Sequence, residues 1–178
     1  FTVGLLNALH ALQGHMATKE QLANESIMIE QDILKENVGS QDQVNAAYGG
    51  FNHITFHTSG EISVRPVIIP PDRQDELTSH LMLFYTGIKR TADKVAGQYV
   101  ESLETKRRQL RILRDMVEEA LSFLCGSGPI KEFGELLHEG WLAKQAISDQ
   151  ISNSAITEVY DAAREAGAIG GKITGAGG

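Results

Sequence analysis

The stretch around which the chain is organised reads Gly39-Ser40-Gln41-Asp42-Gln43-Val44-Asn45-Ala46-Ala47-Tyr48-Gly49-Gly50. It opens on a turn, passes through a short amide-rich segment and closes on two glycines. Two interpretations are open. In the first, Ser40 is the N-cap of an ordinary helix, because its hydroxyl can satisfy free N–H groups at a helix start. In the second, the turn presents Asp42 to solvent as a catalytic carboxylate.

Two helices are predicted upstream. The first covers residues 1–13, where Leu5, Leu9 and Leu12 recur at helical spacing. The second begins at a capping box on Thr18 and runs to about Lys35.

Glu30 falls in the middle of the apolar face of the second helix. On a helical wheel that face comprises Leu22, Ala23, Ile27, Ile29, Ile33 and Leu34. A carboxylate among aliphatic side chains is costly unless a cation or several donors meet it. Two interpretations are therefore open for Glu30. Its side chain either reaches solvent or pairs with a buried Arg, or it is a metal ligand.

A β-hairpin is predicted downstream, with strands at residues 51–58 and 62–69. His53 and His57 lie about 13 Å apart at the usual strand rise, too far to share a metal. Pro70-Pro71-Asp72 is the candidate domain boundary, because prolines interrupt the sheet pattern there.

The second half is predicted to be mostly helical. The apolar run 81–85 suits a short buried strand, and helices are expected over residues 89–124, after Pro129 and around Tyr160. The helix after Pro129 places His138, Trp141 and Lys144 on one side. A Walker phosphate loop is excluded at Lys172, because Ala166 and Ile173 occupy the positions that need Gly and Ser or Thr.

The composition indicates which classes of protein the chain can belong to. The chain has 178 residues, 42% hydrophobic and 22% charged, which is typical of a globular protein with a real core. Its net charge of −7 argues against nucleic-acid or acidic-membrane partners, and no run approaches the ~20 apolar residues of a membrane helix. The single Cys125 predicts a reducing compartment, the cytoplasm.

Three features follow one another along the chain. They are the opening helix Phe1-Thr2-Val3-Gly4-Leu5-Leu6-Asn7-Ala8, the pair Glu30 and Asp42, and the run Gly170-Gly171-Lys172-Ile173-Thr174-Gly175-Ala176-Gly177-Gly178. Together they resemble the GHMP small-molecule kinases over nearly the whole chain. The opening helix is similar to the continuation of that family's Ser-rich phosphate loop, and the final run is similar to its C-terminal glycine motif.

The resemblance implies an α+β fold with two domains. Residues 1–70 would be the back half of the kinase N-terminal α/β domain, and residues 71–178 a helix-rich, ferredoxin-like C-terminal domain on a small antiparallel sheet. The family's phosphate loop would lie upstream of Phe1, and the chain stops inside the glycine motif. We therefore expect a fragment that does not turn over alone.

Within the family, the resemblance is to the D-glycero-D-manno-heptose 7-phosphate kinases. It rests on Gly39-Ser40-Gln41-Asp42-Gln43, Tyr85-Thr86-Gly87 before Lys89-Arg90-Thr91-Ala92, and Trp141-Leu142-Ala143-Lys144. It implies phosphoryl transfer from ATP to the anomeric hydroxyl of the sugar phosphate, with Mg²⁺ as cofactor. The alternatives are a galactokinase- or fucokinase-like enzyme and a catalytically inactive sugar sensor.

The resemblance also implies roles for individual residues. Asp42 would be the catalytic carboxylate and Glu30 the magnesium ligand. The groups expected at the sugar phosphate are Lys89, Arg90, Lys144, Gly175 and Gly177, and Lys172 is expected at the nucleotide phosphates. The partners would be small molecules only, with no nucleic acid and no membrane. The sequence does not predict the oligomeric state.

Overall fold

The structure, a computed structural model, describes residues 1–87, 106–147 and 152–174. Contacts between Cα atoms divide the chain into two compact units, Phe1–Val67 and Ile68–Gly178. The division lies close to the expected boundary after residue 70. The assignment of the two parts to kinase domains remains a prediction.

The first unit begins with helices α1 (Thr2–Leu12), α2 (Lys19–Ile27) and α3 (Gln41–Tyr48). These three helices pack against one another. The Thr18 hydroxyl accepts the Gln21 N–H at 3.0 Å, so the predicted start of the second helix is confirmed.

The second helix changes type before it ends. After α2 the backbone forms a π-helix over Met28–Ile33, with the Leu34 N–H donating to the Ile29 carbonyl at 2.8 Å. Bonds from i to i+5 change the helical phase, so the predicted apolar face is wrong at its C-terminal end, at Ile33 and Leu34. Leu22 is buried as expected, whereas Ile33 and Leu34 are 63% and 58% exposed.

The predicted hairpin is confirmed. Strand β1 (Asn52–Phe56) pairs antiparallel with β2 (Ile62–Pro66), with Ile54 opposite Val64. His57 lies just beyond β1, and its Nε2 is 2.9 Å from the Ser63 hydroxyl. Within the described ranges, no group of three or more His, Cys, Asp or Glu is arranged to hold a metal.

The described part of the second unit is built from helices α4 (Pro71–Ser79), α5 (Arg107–Cys125), α6 (Lys131–Gln145) and α7 (Ser154–Glu165). Helix α4 was not expected, although Pro71 at its first position is a typical helix start. The Asn153 side chain accepts the Ile156 N–H at 3.0 Å and caps α7. None of the described helices is both long and apolar enough to cross a membrane.

Two apolar clusters hold this unit together. The first consists of Trp141, Ile147 and Ile156, with Leu113, Tyr160 and Ile173 packed against it. The second consists of Leu77, Leu124 and Ile130, with Ile69 and Phe133 packed against it. The first cluster joins α5, α6 and α7 to the segment that follows α7.

The expectation of a buried strand at residues 81–85 is wrong. The segment is irregular and exposed, with Leu81 52% and Leu83 93% accessible to solvent. A buried strand needs neighbours that pair its N–H and C=O groups. The described residues of the second unit contain no strand that could do this. An apolar run alone therefore did not predict burial.

Candidate functional site

Glu30 is the centre of the candidate site in the first unit. It lies on the π-helix and is half-buried. Its Oε1 accepts a hydrogen bond from the Thr2 hydroxyl at 2.7 Å, and its Oε2 accepts one from the Gln43 side-chain amide. Two neutral donors, from α1 and α3, therefore meet the carboxylate, and no Arg pairs with it within the described residues.

Asp42 is exposed in the first turn of α3, one residue before Gln43. A carboxylate at this position is favoured by the positive end of the helix dipole. Because Gln43 contacts Glu30, the first turn of α3 lies beside the π-helix. The structure thus brings the two acidic residues singled out in the sequence to neighbouring elements.

The expected helix start after Ser40 is confirmed, but Ser40 is not a side-chain cap. Its hydroxyl accepts a hydrogen bond from the Gln31 amide at 3.1 Å, and the same amide donates to the Val38 carbonyl at 2.9 Å. These bonds join the π-helix to the loop that leads into α3. Ser40 therefore contributes to the loop that presents Asp42.

Gln43 is a residue of the candidate site that the sequence analysis did not single out. It is 5% exposed and precedes Val44, which is fully buried, so α3 turns one face inward while Asp42 stays outside. A signal was available, because a long amide next to a buried aliphatic residue in a helix needs a polar partner.

The residues around Glu30 fit a magnesium ion. Mg²⁺ prefers oxygen ligands and often takes only one or two carboxylates, with water and nucleotide phosphates completing its shell. Glu30 supplies a carboxylate and Thr2 a hydroxyl next to it. Each carboxylate oxygen can accept more than one contact, so one hydrogen bond on each leaves it able to bind a cation.

A second candidate site brings together Lys144 on α6 and Lys172 after α7. Burial lowers the pKa of Lys144, and the charge of Lys172 lowers it further. Ile173, next to Lys172, packs on the cluster that contains Trp141, three residues before Lys144. No salt bridge joins either ammonium to a carboxylate within 106–147 and 152–174. The two ammonium groups are thus close enough for the charge of one to affect the other.

The segment that carries Lys172 lies tightly against α6. A Cβ on Gly170 would stand 2.0 Å from the Gly134 carbonyl oxygen and 2.8 Å from the His138 nitrogen, so only glycine fits there. This segment is irregular rather than strand-like. Because Gly170 has no side chain, the segment that carries Lys172 can lie directly against the backbone of α6.

An aromatic contact supports the same region. The Tyr160 hydroxyl and the His138 Nδ1 are 2.5 Å apart, and the two rings stack with centroids 6.0 Å apart. Tyr160 also contacts the Trp141 ring, and burial raises the pKa of its phenol. Helices α6 and α7 are therefore joined beside the segment that carries Lys172.

Four predicted site residues lie outside the described residues: Lys89, Arg90, Gly175 and Gly177. Their roles remain predictions.

Comparison with known families gives a match in the second unit. Residues 116–178 match the model of the family described as GHMP kinases C terminal. This part of the chain is therefore similar to the C-terminal domain of the GHMP kinases. The helix-rich fold agrees with that family, as expected from the resemblance, and the small antiparallel sheet of β1 and β2 lies in the first unit.

Similarity to GHMP kinases extends over nearly the whole chain. The chain is 27% identical to a D-glycero-alpha-D-manno-heptose 7-phosphate kinase of Campylobacter jejuni, and the alignment covers 98% of this chain and 52% of that protein. It is 26% identical to an L-fucokinase/L-fucose-1-P guanylyltransferase of Bacteroides fragilis, covering 98% of this chain and 19% of that protein.

A solved structure shows the same relationship. A D-glycero-D-manno-heptose 1-phosphate kinase from Bacteroides thetaiotaomicron superimposes with a TM-score of 0.62 at 27% identity, covering 98% of this chain and 48% of that one. The chain thus spans about half the length of the heptose kinases that it matches.

Proposed function

We propose that the protein carrying this chain is an ATP-dependent sugar kinase that phosphorylates the anomeric hydroxyl of D-glycero-D-manno-heptose 7-phosphate, giving the 1,7-bisphosphate. The observation that carries the proposal is the contact between Gln43 and Glu30, because it brings the carboxylate that is proposed to bind the cation next to the helix turn that exposes Asp42. A separate metal ligand and base are what phosphoryl transfer requires.

In this proposal Asp42 takes the proton of the sugar hydroxyl. The hydroxyl oxygen then forms a bond to the γ-phosphorus of ATP, the bond from that phosphorus to the β–γ bridging oxygen breaks, and ADP leaves. Acceptance of a proton by a positioned carboxylate typically contributes about 10²–10⁴-fold to the rate. Asp42 is exposed and on a helix, so it is accessible to a hydroxyl and held by a regular backbone.

Glu30, with the Thr2 hydroxyl beside it, would hold Mg²⁺. When bound, the ion neutralises charge on the nucleotide phosphates. The contribution of this chain is a carboxylate that is already oriented by donors on both oxygens.

Recognition of a phosphorylated sugar requires positive charge that is not already neutralised. Lys144 and Lys172 supply it in the second unit, with Lys172 proposed at the nucleotide and Lys144 at the sugar phosphate. Lys89, Arg90 and the backbone of Gly175 and Gly177 are proposed to complete the substrate site. The reaction is proposed to take place in the cytoplasm.

Fucokinase activity is the second candidate, because a fucokinase is among the relatives. An unphosphorylated sugar would need neither Lys144 nor Arg90. A catalytically inactive sensor is the third, and the pairing of Glu30 with Gln43 favours catalysis over it, because a sensor needs no metal ligand.

The test is ADP release by the full-length protein with Mg²⁺-ATP. The sugars are heptose 7-phosphate, heptose 1-phosphate, unphosphorylated heptose, fucose and galactose, and Asp42→Asn is the matched variant. We expect turnover confined to heptose 7-phosphate, with a loss of about 10²-fold or more in the variant.

The other outcomes are informative. A preference for fucose or galactose would keep the scaffold and reject the proposed role of Lys144. Turnover of heptose 1-phosphate would reject the anomeric hydroxyl as acceptor. Sugar binding without turnover in the wild-type protein would favour the sensor.

A further inference from the structure

We infer that Gln43 is a positioning residue, whose buried amide orients the Glu30 carboxylate for a divalent cation. The inference rests on the proposed function for the identity of the cation. Its geometry, however, is independent of the sugar. The Gln43 amide donates to Oε2 of Glu30, while the Thr2 hydroxyl donates to Oε1. One donor on each oxygen defines the plane of the carboxylate.

Burial makes Gln43 a rigid donor. Its side chain is 5% exposed, and Val44 beside it is 0% exposed in the packing between α2 and α3. Thr2, by contrast, lies at the start of α1 and is only half-buried. Of the two donors to Glu30, the Gln43 amide is thus the one held by surrounding packing.

The orientation of the Gln43 amide is set by its contact with Glu30. With its nitrogen turned to Glu30, the Gln43 Oε1 is buried and accepts no hydrogen bond from the residues that the structure describes. The flipped amide would bring its oxygen against the carboxylate, placing two acceptors together.

The chemistry of the donor also matters. An amide carries no charge, so it orients Glu30 without neutralising it, whereas an Arg or Lys would compete with the cation. Partners that orient metal ligands in this way typically change metal affinity 10- to 100-fold when removed. A residue kept only for packing would change stability instead.

The test uses the full-length protein and Gln43→Met, which keeps length and volume but removes the amide. Mn²⁺ affinity is measured by electron paramagnetic resonance with a saturating non-hydrolysable ATP analogue, and stability by thermal unfolding. We expect at least about tenfold weaker Mn²⁺ binding, with an unfolding midpoint close to that of the wild type because the length and volume of the side chain are kept. Asn45→Ala, at an exposed amide of the same helix, is the control and should leave both unchanged.

A double-variant cycle separates positioning from a general effect. In a Glu30→Gln background the change at Gln43 should cause no further loss of Mn²⁺ affinity, because the residues act through one another. Full additivity would contradict the inference, as would unchanged Mn²⁺ affinity in Gln43→Met. Gln43→Asn, whose amide is one methylene shorter, is used if Gln43→Met does not fold, and the same weakening is expected.

The inference and the proposed function can fail separately. If the wild-type protein phosphorylates no sugar but Gln43→Met still weakens Mn²⁺ binding, the positioning role stands and the proposed reaction falls. If the wild type is a sugar kinase and Gln43→Met binds Mn²⁺ normally, the reaction stands and the positioning role falls.

Discussion

The Thr2 hydroxyl donates a hydrogen bond of 2.7 Å to Oε1 of Glu30, joining the first turn of α1 to the π-helix 28 residues further along the chain. Glu30 lies within a short π-helical segment, and such segments are frequent at functional sites. The bond connects two elements that the family resemblance had linked only by their order in the sequence.

We expect Thr2→Val to weaken the affinity for Mg²⁺, so that activity requires a higher Mg²⁺ concentration. Valine has nearly the shape of threonine but cannot donate, so Oε1 loses its protein donor. The bond is partly exposed, so the loss should be about 1 kcal/mol, or about fivefold in kcat/KM at limiting Mg²⁺. Steady-state kinetics of the full-length protein over a Mg²⁺ titration would measure it. Thr2→Ser keeps the hydroxyl and is the control; an equal loss in Thr2→Ser would attribute the effect to packing at this position and not to the hydrogen bond.

Lys144 should make stability depend on pH in the alkaline range. Burial lowers the pKa of Lys144 in the folded chain below its ordinary value of 10.5, so the unfolded chain binds this proton more tightly. At a pH below the pKa of Lys144 in the folded chain, the whole free-energy cost of burying its charge opposes folding. At a pH above its pKa in the unfolded chain, this cost is absent. The contribution of this residue to stability therefore improves as pH rises between those two values.

Replacement of Lys144 should remove this effect. We expect Lys144→Met to be more stable than the wild type at about pH 7 and to show a smaller rise in stability toward alkaline pH. Urea unfolding across that range would measure both. Lys131→Met, at an exposed lysine of the same helix, is the control. If the free energy of unfolding rose equally toward alkaline pH in Lys144→Met and in the wild type, Lys144 would not be the source of the pH dependence.

Gly170 should not tolerate a side chain. In Gly170→Ala the new methyl group would lie 2.0 Å from the Gly134 carbonyl oxygen, and because that atom is backbone of α6, the segment itself must shift. We expect a loss of about 1–3 kcal/mol in the free energy of unfolding, measured by denaturant titration. Gly171→Ala is the matched control, since its methyl group would meet only the Tyr160 ring, at an ordinary 3.8 Å. Equal stability of the two variants would argue against the close approach.

Sequence patterns predicted the elements whose stability is local. The capped start of α2, the hairpin of β1 and β2, and the start of α3 after Ser40 all depend on neighbouring residues. The apolar run 81–85 was misread because burial depends on partners elsewhere in the chain. The wheel that placed Ile33 among buried residues assumed a uniform helix, and the change to π-helical bonding at Met28 carries no simple pattern.

The sequence by itself determined the family resemblance and the chemical nature of the candidate site, because the order of Glu30, Asp42 and the final glycine run is a property of the chain. Only the tertiary structure decided that Glu30 is held by Thr2 and Gln43, and that Lys144 and Lys172 lie near one another. The physical reason is distance along the chain. Hydrogen bonds and charges act over a few ångströms in space, and packing of α1, α2 and α3 brings together side chains that no local pattern relates.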